Sequence, residues 1–435
     1  MSVYYVANDK VDLQCYPNYS FEIGDINGDN KKEFVSLNQS GKLLRVLNLD
    51  GDLIFEKNLV NDGNWGTSLI GVADIDNDGR DEIIVPCGES IVAFDGKGNK
   101  IREYKLNSCQ KDSFGICAPL LGAAKILSPN EPSIIAAVAG GYVVALDGNF
   151  NEIWRTGGFR DEFGHEIHFA DIDGDGLDEI AFCTIDYHSY REGKSKSCVG
   201  DLVLLDHDGT VLLRKRVDDY IQDTHFDDIA MADFLGNGQS QILVEKGVLL
   251  DLNGNIIWDI SEEFDHGQWI AHTSEPKGKD KTVFISELWG TNMRGLLFSG
   301  SGKKINDVKD FPWPSFDSEE HKSLNLKPLP SRCHIIRWTP ESEPEIFLSQ
   351  QAYLPSSSHL CYQTVRFQLK VLFMDLQGNP YGEIPFDDAQ IKDYFYNGEV
   401  HSRVADVDGD GEQEIVFPKQ DGHIMIIKKH IKDTK

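Results

Sequence analysis

The sequence lacks any apolar run approaching the roughly 18 consecutive residues that a membrane-spanning helix needs. It also lacks the basic start and apolar core of a signal peptide, so we expect a cytoplasmic protein, or a secreted one whose signal has been removed. There is no GxSxG nucleophile turn, no HExxH zinc helix and no phosphate-binding glycine loop between a strand and a helix. These absences argue against a membrane partner and against the enzyme classes that those motifs mark.

Cysteine and basic residues are both scarce. Eight cysteines in 435 residues are too few for a disulfide scaffold, and no CxxC pair indicates a zinc site. Cys183 and Cys198 flank one long loop and could form a disulfide, with buried free thiols as the alternative. Asp and Glu outnumber Lys and Arg by 71 to 42, which gives a formal charge of -29. This charge argues against a nucleic-acid partner and against phosphate binding.

What the sequence does contain is a repeated acidic loop, clearest in HFADIDGDGLDEIAF (168–182). Asp171, Asp173 and Asp175 occupy loop positions one, three and five. Glu179 occupies position nine. A Ca2+ ion takes six to eight oxygen ligands at about 2.3–2.6 Å, and alternate residues of a tight turn can supply them. Because the apolar IAF that follows is typical of a buried strand, we predict a strand–loop–strand calcium site and not a helix-flanked EF-hand.

The same loop recurs along the chain. A weakened copy, ADFLGNGQSQILV, has Leu235 and Gln241 where oxygen anions are needed, so we expect an empty loop of the same shape. Three further units, beginning near positions 123, 270 and 334, keep strands but no acidic loop. The predicted Ca2+ ligands of the three other intact copies are Asp25, Asn27, Asp29 and Glu33; Asp74, Asp76, Asp78 and Glu82; and Asp406, Asp408, Asp410 and Glu414.

A second motif occurs seven times and consists of an apolar strand, a glycine turn and another strand, as in YVVALDGNFNEIW. Asp-Gly and Asn-Gly between β-branched residues favour hairpins because they tolerate positive φ. Each repeat of roughly 40 to 70 residues therefore holds four strands, which predicts an all-β fold, a β-propeller, as one domain over residues 1–435.

The two chain ends indicate how the ring closes. Eight loop-like starts stand against seven hairpins, because the last unit ends one strand short at HIMIIKK, while SVYYVAN precedes the first loop. We predict that the N-terminal strand completes an eighth blade. A seven-bladed ring is the alternative, because the units near positions 270 and 334 are irregular. The calcium loops would then be structural and hold strand one of a blade to strand two.

Loop alternation predicts which face carries function. If the loops between strands one and two bind Ca2+ on one face, the segments that lead into strand one emerge on the other. Those segments are rich in histidine, and we expect them to surround a central mouth, although a satisfied core or turn histidine is the alternative for each. The candidates there are His165, His168, His225, His266 and His401, with Arg403 beside them.

Long loops between strands two and three add aromatic and basic residues on the same face. Flat sugar faces stack on Trp and Tyr, and a uronate carboxylate pairs with Arg. A His or Tyr base could remove a proton beside that carboxylate while Arg or a metal neutralises it. Paired carboxylates for glycoside hydrolysis are an open alternative. These loops supply the catalytic candidates Tyr187, His188 and Arg191 and the substrate-binding candidates Trp289, Arg294, Tyr353 and Arg366. A further substrate-binding candidate, Trp65, lies in a segment that leads into strand one.

The run GHEIHFADIDGDGLDEI, followed by LLDHDG and THFDDIAMADF, resembles the rhamnogalacturonan lyases built on an eight-bladed, calcium-containing propeller, in which glycine–histidine pairs precede the acidic loops. The resemblance implies β-elimination at a uronate of an acidic polysaccharide or oligosaccharide. The chain departs from that pattern in being shorter and in having Phe226 where a glycine is expected. A non-catalytic propeller that binds glycan or protein is the alternative. The matching positions are His165, Asp171, Asp173, Asp175, Glu179, His225 and Asp227.

Overall fold

The computed structural model describes residues 2–12, 17–38, 41–60, 69–107, 109–111, 116–185, 200–216, 228–264, 266–274, 278–289, 294–309, 327–353, 366–385, 402–418 and 423–432. Within them, thirty-two strands form eight four-stranded antiparallel sheets, the blades of a propeller. The helix that these residues contain is a single 3-10 turn, Ser261–Glu263, and none is long and apolar enough to span a membrane. The all-β, eight-bladed prediction is therefore confirmed.

The strands follow one another blade by blade. The N-terminal strand is β1 Ser2–Asp12. Blade 1 contains β2 Pro17–Gly24, β3 Glu33–Asn38, β4 Leu43–Leu47 and β5 Leu53–Asn58; blade 2 contains β6 Gly71–Ala73, β7 Glu82–Cys87, β8 Ser90–Phe94 and β9 Lys100–Lys105; blade 3 contains β10 Leu120–Ser128, β11 Glu131–Val138, β12 Tyr142–Leu146 and β13 Glu152–Gly157; blade 4 contains β14 Glu162–Ala170, β15 Glu179–Ile185, β16 Asp201–Leu205 and β17 Val211–Arg216. Blade 5 contains β18 Ile229–Ala232, β19 Gln241–Val244, β20 Val248–Leu250 and β21 Ile256–Asp259; blade 6 contains β22 His266–His272, β23 Thr282–Trp289, β24 Gly295–Ser299 and β25 Lys304–Val308; blade 7 contains β26 Lys327–Ile336, β27 Glu345–Tyr353, β28 Arg366–Met374 and β29 Pro380–Pro385; blade 8 contains β30 Arg403–Ala405, β31 Glu414–Pro418 and β32 His423–Lys432.

The two chain ends meet in blade 8. Its strand order is β1-β32-β31-β30, and β1 pairs antiparallel with β32 from Ser2 opposite Lys432 to Asp12 opposite His423. This pairing gives the last blade its fourth strand, as the sequence predicted. The ring closes through backbone hydrogen bonds between the two ends, and the edge of β32 is covered.

The first strand of each blade lies at the centre of the ring. Neighbouring first strands pack against one another, β2 with β6, β6 with β10, β10 with β14, and β14 with β18. The packing is tight, since a Cβ added to Gly24 of β2 would lie 2.2 Å from Val72 of β6. Side chains of the first strands are therefore the ones that a molecule in the centre of the ring meets.

The hydrophobic core lies between the blades. Val35 of blade 1 packs with Ile83 of blade 2, whereas the next residue, Ile84, packs with Ile134 of blade 3. Because successive strand residues point to opposite faces, one apolar strand supplies the core on both of its sides. Burial of each such side chain contributes about 1.5–3 kcal/mol. The continuous apolar runs in second and third strands follow from this arrangement.

The repeated loops have the positions that the sequence predicted. The acidic loops join strand one to strand two in blades 1, 2, 4 and 8, and the weakened copy does so in blade 5. We name them loop 1 (25–33), loop 2 (74–82), loop 4 (171–179), loop 5 (233–241) and loop 8 (406–414). All seven predicted hairpins join strands three and four of blades 1 to 7.

Candidate functional site

Polar side chains at the centre come from two fixed positions on the first strands. In blade 4, Ala170 pairs with Glu179, and His168 and Glu166 lie two and four residues before that pair. The same count from the corresponding pair identifies equivalent residues in other blades. We call the resulting set the central cluster. Its members are Glu22, Glu166, His168, Asp228, Arg332, His334 and Arg403.

His168 and Asp228 form a pair between blades 4 and 5. His168 Nε2 lies 3.2 Å from Asp228 Oδ1, and Asp228 Oδ2 accepts a hydrogen bond from the Ile270 backbone N–H at 2.9 Å. Burial favours the neutral imidazole, but the hydrogen bond to Asp228 and its charge outweigh burial and raise the pKa of His168. Asp228 is buried, whereas the His168 side chain is 26% exposed. The His168 imidazole is therefore fixed by Asp228, while part of its side chain remains exposed.

Two ion pairs join first strands of different blades. Arg332 Nη2 of blade 7 lies 2.5 Å from Glu166 Oε1 of blade 4, and its guanidinium lies 5.7 Å from the centre of the Trp269 ring. Arg403 Nε of blade 8 donates to Glu22 Oε2 of blade 1 at 2.9 Å, and its Nη2 contacts Glu22 Oε1. Both guanidinium groups present the paired donors that carboxylates bind.

The second imidazole of the central cluster is held differently. His334 Nε2 and Ser402 Oγ lie 2.6 Å apart. Burial, together with the positive charges of Arg332 and Arg403, lowers the pKa of His334 to about 3. His334 therefore stays neutral under ordinary conditions. Of the two imidazoles, His168 is the one whose pKa is raised, so its surroundings favour proton uptake.

The central cluster also has a metal-like geometry in one part. One ligand atom each from Glu166, His168 and Asp228 lies within 4.8 Å of the others. However, Asp228 is paired with the His168 imidazole and Glu166 with the Arg332 guanidinium, so each of these two carboxylates already has a partner within the protein. This arrangement suits proton transfer next to a bound carboxylate.

Four predicted site residues, His165, His168, His266 and Arg403, belong to the first strands. His165 and His168 both lie on β14, and Arg403 begins β30. His266 begins β22 and pairs with Trp289 at the end of β23, but the structure does not describe their side chains. Of the predicted residues, the structure places His168 and Arg403 in the central cluster, and the convergence of the five histidines stays a prediction.

Arg294 lies away from the central cluster, immediately before β24, the third strand of blade 6. Its guanidinium contacts Asp307 at 2.6 Å, Glu263 at 3.1 Å and Glu287 at 3.6 Å, and its side chain is 5% exposed. It therefore holds blade 6 together.

Among the other predicted residues, Tyr353 and Arg366 pair at the junction of β27 and β28. The remaining ones lie outside the described residues: Trp65, Tyr187, His188, Arg191, His225 and His401.

Sequence reasoning did not select Glu22, Glu166, Asp228 or Arg332 as site residues. The signal that identifies them is register. Glu166 and Asp228 each lie the same number of residues before the start of their acidic loop, so the two positions are equivalent. In blade 7, Ile336 pairs with the first residue of β27, and counting back from Ile336 gives Arg332 as the equivalent residue. Arg332 was hard to find because blade 7 has no acidic loop from which to count.

The acidic loops are organised around the glutamate at position nine. Glu179 Oε2 accepts the Ile172 backbone N–H at 2.8 Å, and Asp171 accepts those of Gly174 and Gly176 at 2.7 and 3.1 Å. Gly176 has φ +91°, which other residues rarely adopt. The equivalent glutamates of loops 1, 2 and 8 accept the same backbone bond.

Loops 2, 4 and 8 each bring oxygens of three carboxylates close enough together to hold a metal ion. Oxygen atoms of Asp171, Asp173 and Glu179 lie within 4.8 Å of one another, as do single oxygens of the three aspartates of loop 2. Such spacing suits one ion at about 2.3–2.6 Å from each oxygen. Glu179 Oε1 is buried and has no hydrogen-bond partner among the described residues. Burial raises the pKa of Glu179 and of Glu82 to about 7, because it disfavours the charged carboxylates. A bound cation would stabilise the charged form of both side chains.

Loops 1 and 5 show two variations on this pattern. In loop 1, Asn27 Nδ2 donates to Glu33 Oε1 at 2.8 Å. In loop 5, Gln241 Oε1 accepts the Phe234 backbone N–H at 2.8 Å, and its Nε2 donates to the Gln239 carbonyl. The neutral glutamine therefore reproduces the backbone contact of the glutamates, and the predicted shape of loop 5 is confirmed.

Comparison with known proteins agrees with the architecture. Residues 25–85 match the FG-GAP-like repeat family. No curated protein matches the sequence. A rhamnogalacturonan lyase of Bacillus licheniformis is 17% identical, with 98% of this chain and 72% of that chain covered and a TM-score of 0.57. The rhamnogalacturonan lyase YesW has the same identity and coverage with a TM-score of 0.59, and BamB from Moraxella catarrhalis is 10% identical, with 98% and 100% covered and a TM-score of 0.56. At these identities the likeness establishes a shared β-propeller fold.

Proposed function

We propose that the protein is a polysaccharide lyase that cleaves uronate-containing glycans, of the pectic or rhamnogalacturonan type, by β-elimination at the central cluster. The observation that carries the proposal is one titratable imidazole, His168, in a cluster with two guanidinium groups, Arg332 and Arg403. The fold shared with rhamnogalacturonan lyases supports it.

The proposed reaction divides the work among three groups. Neutral His168 accepts the proton from the carbon next to the uronate carboxylate, the electrons of that C–H bond form the new C=C bond, and the glycosidic C–O bond breaks. The departing glycan oxygen takes up a proton from solvent water. Asp228 orients the imidazole and stabilises the imidazolium that forms. Arg332 neutralises the charge that develops on the carboxylate, an effect of about 2.7–4 kcal/mol in comparable sites.

The ion pairs of the central cluster favour an acidic substrate. Arg332 and Arg403 are each paired with an internal carboxylate, Glu166 and Glu22. A substrate carboxylate can replace one of these partners and leave the guanidinium paired, whereas a neutral sugar would leave it without a charged partner. The partner we propose is therefore an acidic polysaccharide or an oligosaccharide derived from it.

Ca2+ is proposed as a structural ion in the acidic loops. Two observations support this assignment: Glu179 Oε1 is buried without a hydrogen-bond partner in the part of the chain that the structure describes, and the carboxylate oxygens of loops 2 and 4 are clustered. In the loops, the ion would hold strand one of a blade to strand two. The groups that act on the substrate in this proposal all belong to the protein.

A second function is favoured by one observation. The Glu166–Arg332 pair joins blades 4 and 7 and has the geometry of a structural link. A propeller with such a link could bind acidic glycans at its centre without cleaving them. In that case uronate polymers would bind without chemical change.

The test is incubation with polygalacturonate and with rhamnogalacturonan while the ultraviolet absorbance of the unsaturated uronate is followed. We expect absorbance to rise with the wild type and with the control His430→Gln, which alters an exposed histidine of β32. His168→Gln should abolish the rise and keep the wild-type melting temperature. Reducing ends without the chromophore would identify a hydrolase, and binding without either product would identify a non-catalytic propeller.

A further inference from the structure

Loop 8 differs from the other acidic loops in containing a lysine side chain from another strand. Lys428 Nζ lies 2.6 Å from Asp408 Oδ2, 2.9 Å from Asp410 Oδ2 and 2.9 Å from Glu414 Oε1. These carboxylates occupy loop positions three, five and nine. The ammonium group therefore contacts three of the four side chains that would bind a divalent ion.

The register of blade 8 explains how a lysine reaches this place. Ile415 pairs with Ile427, so Glu414 stands opposite Lys428. In blades 1, 2 and 4, the residue opposite position nine opens the hairpin between strands three and four. That residue accepts a backbone N–H of its own turn, so a short oxygen-bearing side chain is needed there. The residues concerned are Asn48, Asp95 and Asp206.

Blade 8 has no such hairpin, because its fourth strand is β1. Strand β32 continues past Lys428 to Lys432 and pairs with β1, with Val6 opposite Lys428. Position 428 therefore lies within a strand and not in a turn, so it can carry a long side chain. Blade 8, in which the N-terminal strand replaces the hairpin, is thus the blade that does not need a short side chain at this position.

Loop 5 provides an internal comparison. There the position-nine residue is Gln241, whose neutral amide satisfies the same backbone N–H and also donates to Gln239. Loop 5 removes the negative charge at position nine, whereas loop 8 keeps all four acids and brings a positive charge to them. The two loops thus differ from loop 4 in opposite ways.

We propose that Lys428 is a built-in cation that takes the place of a divalent ion in loop 8. The blade that closes the ring is then held without metal, whereas loops 1, 2 and 4 take Ca2+. An ammonium group and a divalent ion cannot share the same three oxygens, because like charges a few ångströms apart repel. This assignment replaces the expectation from sequence that loop 8 binds Ca2+, and it does not depend on the proposed reaction.

The test is the number of Ca2+ ions bound per chain, measured by elemental analysis after equilibrium dialysis against Ca2+. We expect Lys428→Met to bind one more ion than the wild type, because it frees the three oxygens of loop 8. Lys429→Met is the matched control, since Lys429 is paired with Glu345 of blade 7, and it should bind the same number as the wild type. Equal numbers in the wild type and Lys428→Met would overturn the proposal.

A second pair of variants covers the case in which Lys428→Met does not fold. Asp410→Asn should leave the number of bound ions unchanged, because loop 8 holds none. Asp175→Asn, the same change at the same position of loop 4, should lower it by one. A loss of one ion in Asp410→Asn would overturn the proposal, as would a wild type that binds no Ca2+.

Discussion

Replacing Asp228 by asparagine is expected to make His168 a weaker proton acceptor. Asparagine keeps the size of the side chain and can still accept the Ile270 backbone N–H, which lies 2.9 Å from the carboxylate. What it loses is the charge beside the imidazole, 3.2 Å away. A hydrogen bond to a charged group contributes about 1.5–3 kcal/mol, which corresponds to about a 10- to 150-fold change in the imidazolium equilibrium.

The assay is the pH titration of the His168 ring proton signals by NMR in the wild type and the variant. Asp228 raises the pKa of His168, so the titration midpoint should move to lower pH in Asp228→Asn. If His168 is the base, the acid limb of the lyase pH profile should move the same way while the maximal rate falls. Asp208→Asn, an exposed turn carboxylate of blade 4, is the control and should move neither. An unchanged midpoint in Asp228→Asn would refute the assigned role of Asp228.

Four further predictions concern the acidic loops, the closure of the ring and Arg332. Chelation of Ca2+ should lower the melting temperature, since each occupied loop contributes about 2.7 kcal/mol at an ion concentration 100 times Kd; no change would mean that the loops do not bind it. Because burial raises the pKa of Glu82 and Glu179 from 4.5 to about 7, the folded state holds their protons more tightly. The chelated protein should thus lose unfolding free energy as pH rises through that interval, and a flat urea-denaturation profile would contradict this. Deleting residues 2–12 removes nine cross-strand pairs at about 0.2–1 kcal/mol each, so the urea midpoint should fall by the equivalent of about 2–9 kcal/mol, and an unaltered midpoint would contradict the closure. Arg332→Gln should reduce turnover of a uronate polymer about 10²- to 10³-fold. Its melting temperature should fall as well, because Glu166 loses its charged partner. Wild-type turnover would exclude Arg332 from the site.

The architecture was predictable because its signals are local. Loop 4 carries ligand spacing, a turn glycine and the start of a buried strand within residues 171–179, and the hairpin turns carry Asp-Gly or Asn-Gly. The one long-range prediction, the pairing of β1 with β32, rested on a missing strand at one end and a spare strand at the other. Such counting succeeds because a ring leaves few ways to satisfy unpaired edges.

The composition of the central cluster was only partly predictable. His168 and Arg403 were predictable because histidine and arginine are the residue types that the proposed chemistry needs. The contact between Glu166 and Arg332 joins blades 4 and 7 and forms only when the ring is closed. No local pattern encodes a contact across 166 residues. The ammonium of Lys428 was missed for a related reason, since it comes from strand three and not from the loop it enters.

The most direct test of the central claim is a crystal structure of His168→Gln soaked with an unsaturated uronate oligosaccharide. The lyase account predicts a uronate carboxylate bound to Arg332, with the adjacent ring carbon within reach of residue 168. An oligosaccharide bound on the outer rim, or one whose carboxylate avoids both Arg332 and Arg403, would contradict it.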